Sequence, residues 1–307
     1  IPSHDTLNDV MNALPSDLFR DCFTQWVAAL RGEAPDIIEP EIIAIDGKTS
    51  RRAHGSDDRP LHTVSAWASR QRLVLGQEFC DEKENEITAI PRLLERLELK
   101  GALVTIDAMG CQNAIAQSIT AKGADYLLAL KGNRKSLHEE AILFFEDTGN
   151  LDVHTTTDAD HGRIEVRRAF VSHDIDWLQS KRKAPGEPRF PGLACIGMVE
   201  AQVEEKGQKS ISRRYYLSSA PLSAAQLSHA ARAHWGIENR LHWVMDVVFH
   251  DDLMRLRTAH GPANMALMRH TALNIFKQID DKLSLKVRRK TAAWSTDYLK
   301  YALKNIP

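Results

Sequence analysis

The run from Glu41 to Asn133 decides the fold: EIIAID (41–46), LHTVSAWAS (61–69), RLVLGQEF (72–79), NEITAIPRLLERLEL (85–99), ALVTID (102–107), CQNAIAQSITAKG (111–123) and DYLLALKGN (125–133), separated by polar or glycine-containing breaks. The first three are short apolar runs bounded by turn residues and read as strands. The fourth has the Ile/Leu spacing of a helix, with Pro91 expected near its first turn, where a missing N–H costs least. A strand, a helix ending at Gly123 and a further strand follow in βαβ fashion. The order β-β-β-α-β-α-β predicts an α/β protein with a mixed sheet flanked by helices.

Outward from this core the pattern changes twice. Residues 4 to 30 place Leu14, Leu18, Phe19, Phe23, Trp26, Val27 and Leu30 at helical spacing, with Ser16 expected to cap after Pro15. After a helix over SLHEEAILFFED (136–147) come three expected strands, HGRIEVRRAFVSHD (161–174), LACIGMVEAQVEEK (193–206) and SRRYYLSSA (212–220), with a Pro/Gly/charge-rich connection at 181–192. Residues 223–252 then carry one long helical pattern with Ile237, Leu241, Val244 and Val248 on a stripe. The expected organisation is a helical lead-in (1–40), a first core part (41–150), a β-rich insertion (151–220), and a helical C-terminal region (221–307).

Composition bounds the class. With 307 residues, 43% hydrophobic and 26% charged, and a formal net charge of −1, the chain is a globular protein of one large or two ordinary domains, and its total charge advertises no polyanionic partner. Charge is nevertheless uneven: from Leu253 to Pro307 eleven Lys and Arg face three acids. Cys22, Cys80, Cys111 and Cys195 are too scattered for a disulfide framework or zinc site, and a reducing cytoplasm is expected. No apolar run reaches the roughly 18 residues of a membrane span. The start, IPSHDTLNDV, has no signal-peptide regions and no Met, and reads as trimmed.

Asp46 and Asp107 each close an apolar run (IIAID, LVTID), and an acid at a strand's C-terminal end faces the crevice where such sheets place ligands. Two carboxylates at one edge repel unless a cation lies between them. Carboxylate and water oxygens favour Mg²⁺ or Mn²⁺ over zinc. Either Asp alone could merely cap a turn; two in one context point to chemistry. Glu238 is the candidate third acid, from the HWGIENRLHW helix. His234, Glu238 and His242 at i, i+4, i+8 are not the HExxH arrangement, so zinc is disfavoured. DGKTS (46–50) ends like a phosphate-binding loop, but Ile42 stands where that loop needs glycine.

The strings AIDGKTSR, TIDAMGCQ, LALKGN, HGRIE and W-x-IEN-x-LHW-x-x-DV-x-F-x-x-D, in that order over about Ile1 to Lys300, resemble the H-repeat-associated insertion-sequence transposases, within the DDE transposases with a ribonuclease-H-like catalytic core. The resemblance implies that Asp46, Asp107 and Glu238 are the catalytic, metal-binding triad and that the β-rich stretch is inserted before the Glu helix. It also implies a helical segment ahead of the part matching Ile1. The wider superfamily's Tyr, Arg and Lys around the Glu are here Ala231, His234 and Met245.

The activity so implied is metal-dependent DNA cleavage followed by strand transfer. Two ions about 3.5 to 4 Å apart would activate the nucleophile, neutralise the phosphate and stabilise the leaving oxygen. Asp46 would bridge them, while Asp107 and Glu238 would hold one each. Lys48, Lys131, Arg163, Arg232 and His234 are the expected DNA contacts, with His161 able to orient water or phosphate. The expected partner is double-stranded DNA, transposon ends and target, bound as a homodimer in the bacterial cytoplasm at the nucleoid, with no membrane. Two other readings share these residues: a metal-dependent nuclease without strand transfer, and a silent DNA-binding remnant.

Overall fold

The computed structural model describes residues 2–32, 39–54, 60–80, 85–147, 149, 151–160, 163–180 and 190–304. It forms two compact units, Ile1–Glu98 with Gly236–Pro307, and Leu99–Trp235. His161 lies outside the described residues.

The first unit opens with α1 (His4–Ala13) and α2 (Ser16–Arg31). Ser3 caps α1 by accepting the Thr6 N–H at 3.1 Å. Ser16, expected as a cap, is instead the first residue of α2: Pro15 holds the cap position with its φ near −59°, and Ser16 Oγ lies 3.3 Å from His260 Nδ1. Next, β1 (Ile42–His54), β2 (Pro60–Ala68) and β3 (Leu73–Phe79) form an antiparallel meander. Ile43, Ala44, Ile45, Val64, Ala66 and Trp67 are wholly buried, which is why the strands read as continuous apolar runs rather than alternating ones. Asp46 does not end its strand as expected, because β1 pairs on with β2 through Ser50 opposite Leu61 and, past an irregularity, to His54 opposite Pro60. The helix α3 (Glu86–Arg96), capped by Asn85, buries Ala89, Ile90, Leu93 and Leu94, with Pro91 in its middle rather than its first turn.

The second unit alternates β4 (Leu103–Ile106), α4 (Asn113–Ala121) and β5 (Asp125–Leu130), and the two strands are parallel. After α5 (Lys135–Asp147) come β6 (Asp152–Asp160), β7 (Arg163–Ser172), α6 (Asp176–Ser180), β8 (Cys195–Glu205), β9 (Gln208–Ser218) and α7 (Ala224–Ile237). The strand β9 runs antiparallel beside β5, and β9, β8, β7 and β6 continue as an antiparallel meander. The unit is thus a mixed sheet with helices. Four strands stand where three were expected: β6, DVHTTTDAD, carries too little apolar residue to announce itself.

Returning to the first unit, a π-helical turn (Glu238–His242) leads into α8 (Trp243–Val247), then α9 (Gly261–Gln278), α10 (Leu285–Trp294) and α11 (Thr296–Lys304). The long helix expected over 223–252 is observed from Ala224 to Val247, with its Glu238–His242 turn π-helical rather than α-helical. The order β-β-β-α-β-α-β and the mixed α/β character are as expected. No helix among the described residues is long and apolar enough to cross a membrane.

Within this unit β3 is completed by a side chain. Asn274 of α9 accepts the Val74 N–H at 2.9 Å and donates to the Val74 carbonyl at 2.8 Å, replacing a ladder partner at a fully buried position. Asn264 in the same helix donates to the carbonyls of Met11 and Leu14, at 2.8 and 2.7 Å, tying down the end of α1. Asn274→Ala leaves a buried N–H and C=O unpaired, and urea denaturation is expected to show a loss of about 2–4 kcal/mol. A loss below about 1 kcal/mol would mean that the edge finds other partners.

Candidate metal centre

On β1 the alternation of side chains sets Asp46, Lys48 and Ser50 on one face. The π-helical turn supplies what meets Asp46. Its extra residue per turn, closed by the Trp243 N–H on the Glu238 carbonyl, sets His242 Nδ1 3.0 Å from Glu238 Oε2 and 3.7 Å from Asp46 Oδ2. Such π turns recur at functional sites. One ligand atom from each of Asp46, Glu238 and His242 lies within 4.8 Å of the others. His242 is buried, the Asp46 side chain is 24% exposed and that of Glu238 56%, so the cluster opens on one side. Burial holds the His242 pKa below its ordinary value, against the upward pull of Glu238 and Asp246 and with Lys48 adding to the depression. A neutral imidazole beside two carboxylates is a set of donors suited to a divalent cation.

The same strand face needs further neutralisation. Lys48 Nζ lies 2.7 Å from Asp246 and 3.8 Å from both Asp251 and Asp252, and its side chain is 14% exposed. Ser50 donates to Asp251 at 2.5 Å, and Arg269 donates to the other oxygen of Asp251 at 2.6 Å. Lys48 is thus held in a network of acids rather than extended into solvent. On the opposite face Gly47 lies close to two side-chain ends: a Cβ there would stand 2.1 Å from Glu86 Oε1 and 2.7 Å from His62 Nε2, so those ends would have to move. Those two atoms are hydrogen-bonded at 2.9 Å, and His62 Nδ1 meets Thr49 Oγ1 at 2.7 Å.

The remaining expected residues belong to the second unit. Asp107 follows β4 and caps a short 3₁₀ turn, one oxygen accepting the Met109 N–H at 3.0 Å. Asn133 braces that turn by donating to the Ala108 carbonyl at 2.5 Å, and Arg134 donates to the Cys111 carbonyl at 3.1 Å, so the strings TIDAMGCQ and LALKGN form one structure. The buried Cys111 thiol is pushed up to about 12, by burial above all. Lys131 is exposed just beyond β5. Arg163 pairs with Glu165 at 3.3 Å, Arg232 pairs with Asp158, and His234 Nδ1 lies 3.0 Å from Thr105 Oγ1. The structure therefore brings Asp46 and Glu238 together within one unit and sets Asp107, Lys131, Arg163, Arg232 and His234 in the other. Sequence reasoning met His242 only within a His-x3-Glu-x3-His set; the π turn pairs it with Asp46 and Glu238 instead. Its signal was the Leu-His-Trp string next to the Glu.

Comparison with known proteins adds the following. The family model described as "Transposase DDE domain" matches residues 38–275. The chain is 38% identical over 321 residues to the putative transposase YncI of Escherichia coli O157:H7, covering 99% of this chain and 78% of that protein. It is 35% identical over 312 residues to the H repeat-associated putative transposase YhhI of Escherichia coli K12, covering 97% and 80%. Among solved structures, that of the piggyBac transposase synaptic complex with hairpin DNA aligns with 98% of this chain and 60% of that one, at 10% identity and a TM-score of 0.47.

Burial also pushes His270 in α9 down to about 3. Both His242 and His270 are held below the ordinary 6.5, so the unfolded chain binds more protons between the two pKa values. Their contribution to stability is complete above about pH 6.5 and is lost as pH falls toward 3. Thermal unfolding is expected to give a Tm that drops between pH 7 and pH 5, and His270→Phe is expected to flatten that slope. An unchanged slope in the variant would show that His270 does not carry it.

Proposed function

The chain belongs to the family of transposases with a DDE domain, and from that premise we propose that it cuts the ends of an insertion sequence and joins them to target DNA, using Asp46, Asp107 and Glu238 as the carboxylates of a site for two divalent ions, Mg²⁺ or Mn²⁺. The observation that carries this reading is the meeting of Asp46 and Glu238, 192 positions apart in the sequence, around one imidazole within 4.8 Å. The donor set fits a hard divalent cation: two carboxylates converge on His242, and that histidine is kept neutral by burial. Bound there, the ions supply charge neutralisation at the phosphate and activation of the attacking oxygen.

The residues of the chain have the remaining tasks. Asp46 and Glu238 hold the cation from β1 and the π turn, and Asp107 adds a carboxylate whose second oxygen is not used by the Met109 cap. Water oxygen attacks the phosphorus at the element end, the bond from phosphorus to the 3′ oxygen breaks, and that oxygen leaves with the proton the water gives up. The freed 3′-hydroxyl then attacks a target phosphodiester with the same in-line geometry, displacing the target's 3′ oxygen, which takes up the hydroxyl proton, so no covalent link to the enzyme forms. Lys131 is the foremost phosphate contact, since its charge stands exposed two residues before the Asn133 brace. Arg163, Arg232 and His234 are further contacts that must exchange Glu165, Asp158 and Thr105 for phosphate, and Lys48 acts at the same face of β1 through its acids. The working species is a homodimer bridging two DNA ends at the bacterial nucleoid. A retained cluster of this kind favours an active enzyme over a silent remnant.

With DNA carrying the terminal repeats that flank the gene, Asp46→Asn, Asp107→Asn and Glu238→Gln are each expected to lower metal-dependent nicking by at least about 100-fold while melting like the parent. Full cleavage by any one of them removes that residue from the site. Cleavage without joining of a precut end to a target plasmid identifies a nuclease. DNA affinity is expected to fall linearly with the logarithm of salt concentration in a filter-binding titration, and a flat response would rule out phosphate as the main contact.

A further inference from the structure

The second ring nitrogen of His242 faces a different problem from the first. Within the first unit a small cavity of about 20 Å³ is lined by His242, Thr63, Ser65, Met245 and His270 among others. That volume accommodates one water molecule. Three polar atoms of its lining residues are buried without a hydrogen-bond partner: Nε2 of His242, Oγ1 of Thr63 and Nδ1 of His270. All three residues are less than 7% exposed, so bulk water does not reach them. Three orphaned polar atoms around a space for one water are what an internal water satisfies, since it can both donate and accept.

We propose that His242 is a nitrogen ligand of the ion held by Asp46 and Glu238, through Nδ1, and that one internal water shared with Thr63 and His270 holds its Nε2 from behind. The inference rests on the reading of Asp46 and Glu238 as metal ligands and adds a donor that the three-carboxylate pattern does not contain. Facing the two carboxylates with no cation bound, Nδ1 carries the hydrogen, and Nε2 accepts from the water. Facing a cation, Nδ1 offers its lone pair, the hydrogen resides on Nε2, and the water accepts it. The net charge of the ring is the same in both states, and a single water serves both. Metal-ligating histidines regularly give their other N–H to such a partner, which fixes ring orientation. A nitrogen donor also shifts preference from Mg²⁺ toward Mn²⁺.

The test uses the whole chain with Mn²⁺ as the probe. Pulsed electron paramagnetic resonance on chain carrying ¹⁴N- or ¹⁵N-histidine is expected to show a histidine nitrogen coupled to bound Mn²⁺, and His242→Ala is expected to lose it. Calorimetry is expected to show Thr63→Val, a nearly isosteric change outside the ligand set, binding Mn²⁺ about 10-fold more weakly. Bound Mn²⁺ with no nitrogen coupling in the parent chain overturns His242 as a ligand, and unchanged affinity in Thr63→Val overturns the water. Mn²⁺ held as tightly by Asp46→Asn as by the parent chain overturns the carboxylate reading itself, which separates the two failures.

Discussion

One face of β1 puts Asp46, Lys48 and Ser50 in a row beneath protein, and the rest of the first unit is arranged to meet that demand. A charged or polar group removed from water must find a partner or cost several kcal/mol. The acids that meet Lys48 and Ser50, and the His242 beside Asp46, come from the segment between His242 and Asp252, about two hundred residues later in the chain. Asp251 alone accepts from Ser50 and Arg269 and lies 3.8 Å from Lys48, while Asp246 takes the closest contact to the Lys48 ammonium. Removal of one member would leave the others buried and unbalanced, a larger penalty than the net worth of any one pair.

This network also explains how the cluster of Asp46, Glu238 and His242 can be open to solvent yet fixed in shape. Glu238 is more than half exposed, but the turn that carries it ends in the buried His242 and continues into Asp246 and Asp251, both tied to β1. Glu238 is therefore held both by its own contact with His242 and by Asp246 and Asp251 farther along the chain, which tie its segment to β1. Asp107 shows the same division of labour in the second unit. One of its oxygens is spent on a backbone cap, and the turn it caps is braced by Asn133 and followed by Arg134 on the Cys111 carbonyl.

Much of this was legible before any coordinates. Buried strands announce themselves as runs such as IIAI and LVTI because both faces are covered, and the acids that interrupt those runs stand out for the same reason. What escaped was set by tertiary contact. The strand β1 continues past Asp46 because β2 pairs with it, and residues such as Gly47 and Lys48 carry no strand signal of their own. The π turn at Glu238 leaves no mark in a periodic helical pattern, since one extra residue per turn moves the stripe without ending it. Ile237, Leu241, Val244 and Val248 remain buried across the π turn as the stripe predicted. The polar β6 is a strand through its register with β7, not through its composition.

Charge counting needs the same correction. The excess of basic residues after Leu253 suggests a strongly positive C-terminal region, but not all of that charge faces outward. Arg269 is committed to Asp251, and burial holds its guanidinium below the ordinary value. Arg288 is bound to Asp281 and to the Phe276 carbonyl, and Tyr298 completes that knot by donating to Asp281 at 2.7 Å. Lys277 is half-buried and lowered by burial. Arg255, Arg257, Lys282, Lys286, Lys290, Lys300 and Lys304 are exposed. Only such exposed cations condense onto a phosphate backbone and release its counterions. The field that the C-terminal region presents is thus smaller than the sequence total, and it is carried by residues on α10, α11 and the segments before α9 and α10 rather than by α9, whose Arg269 is paired with Asp251.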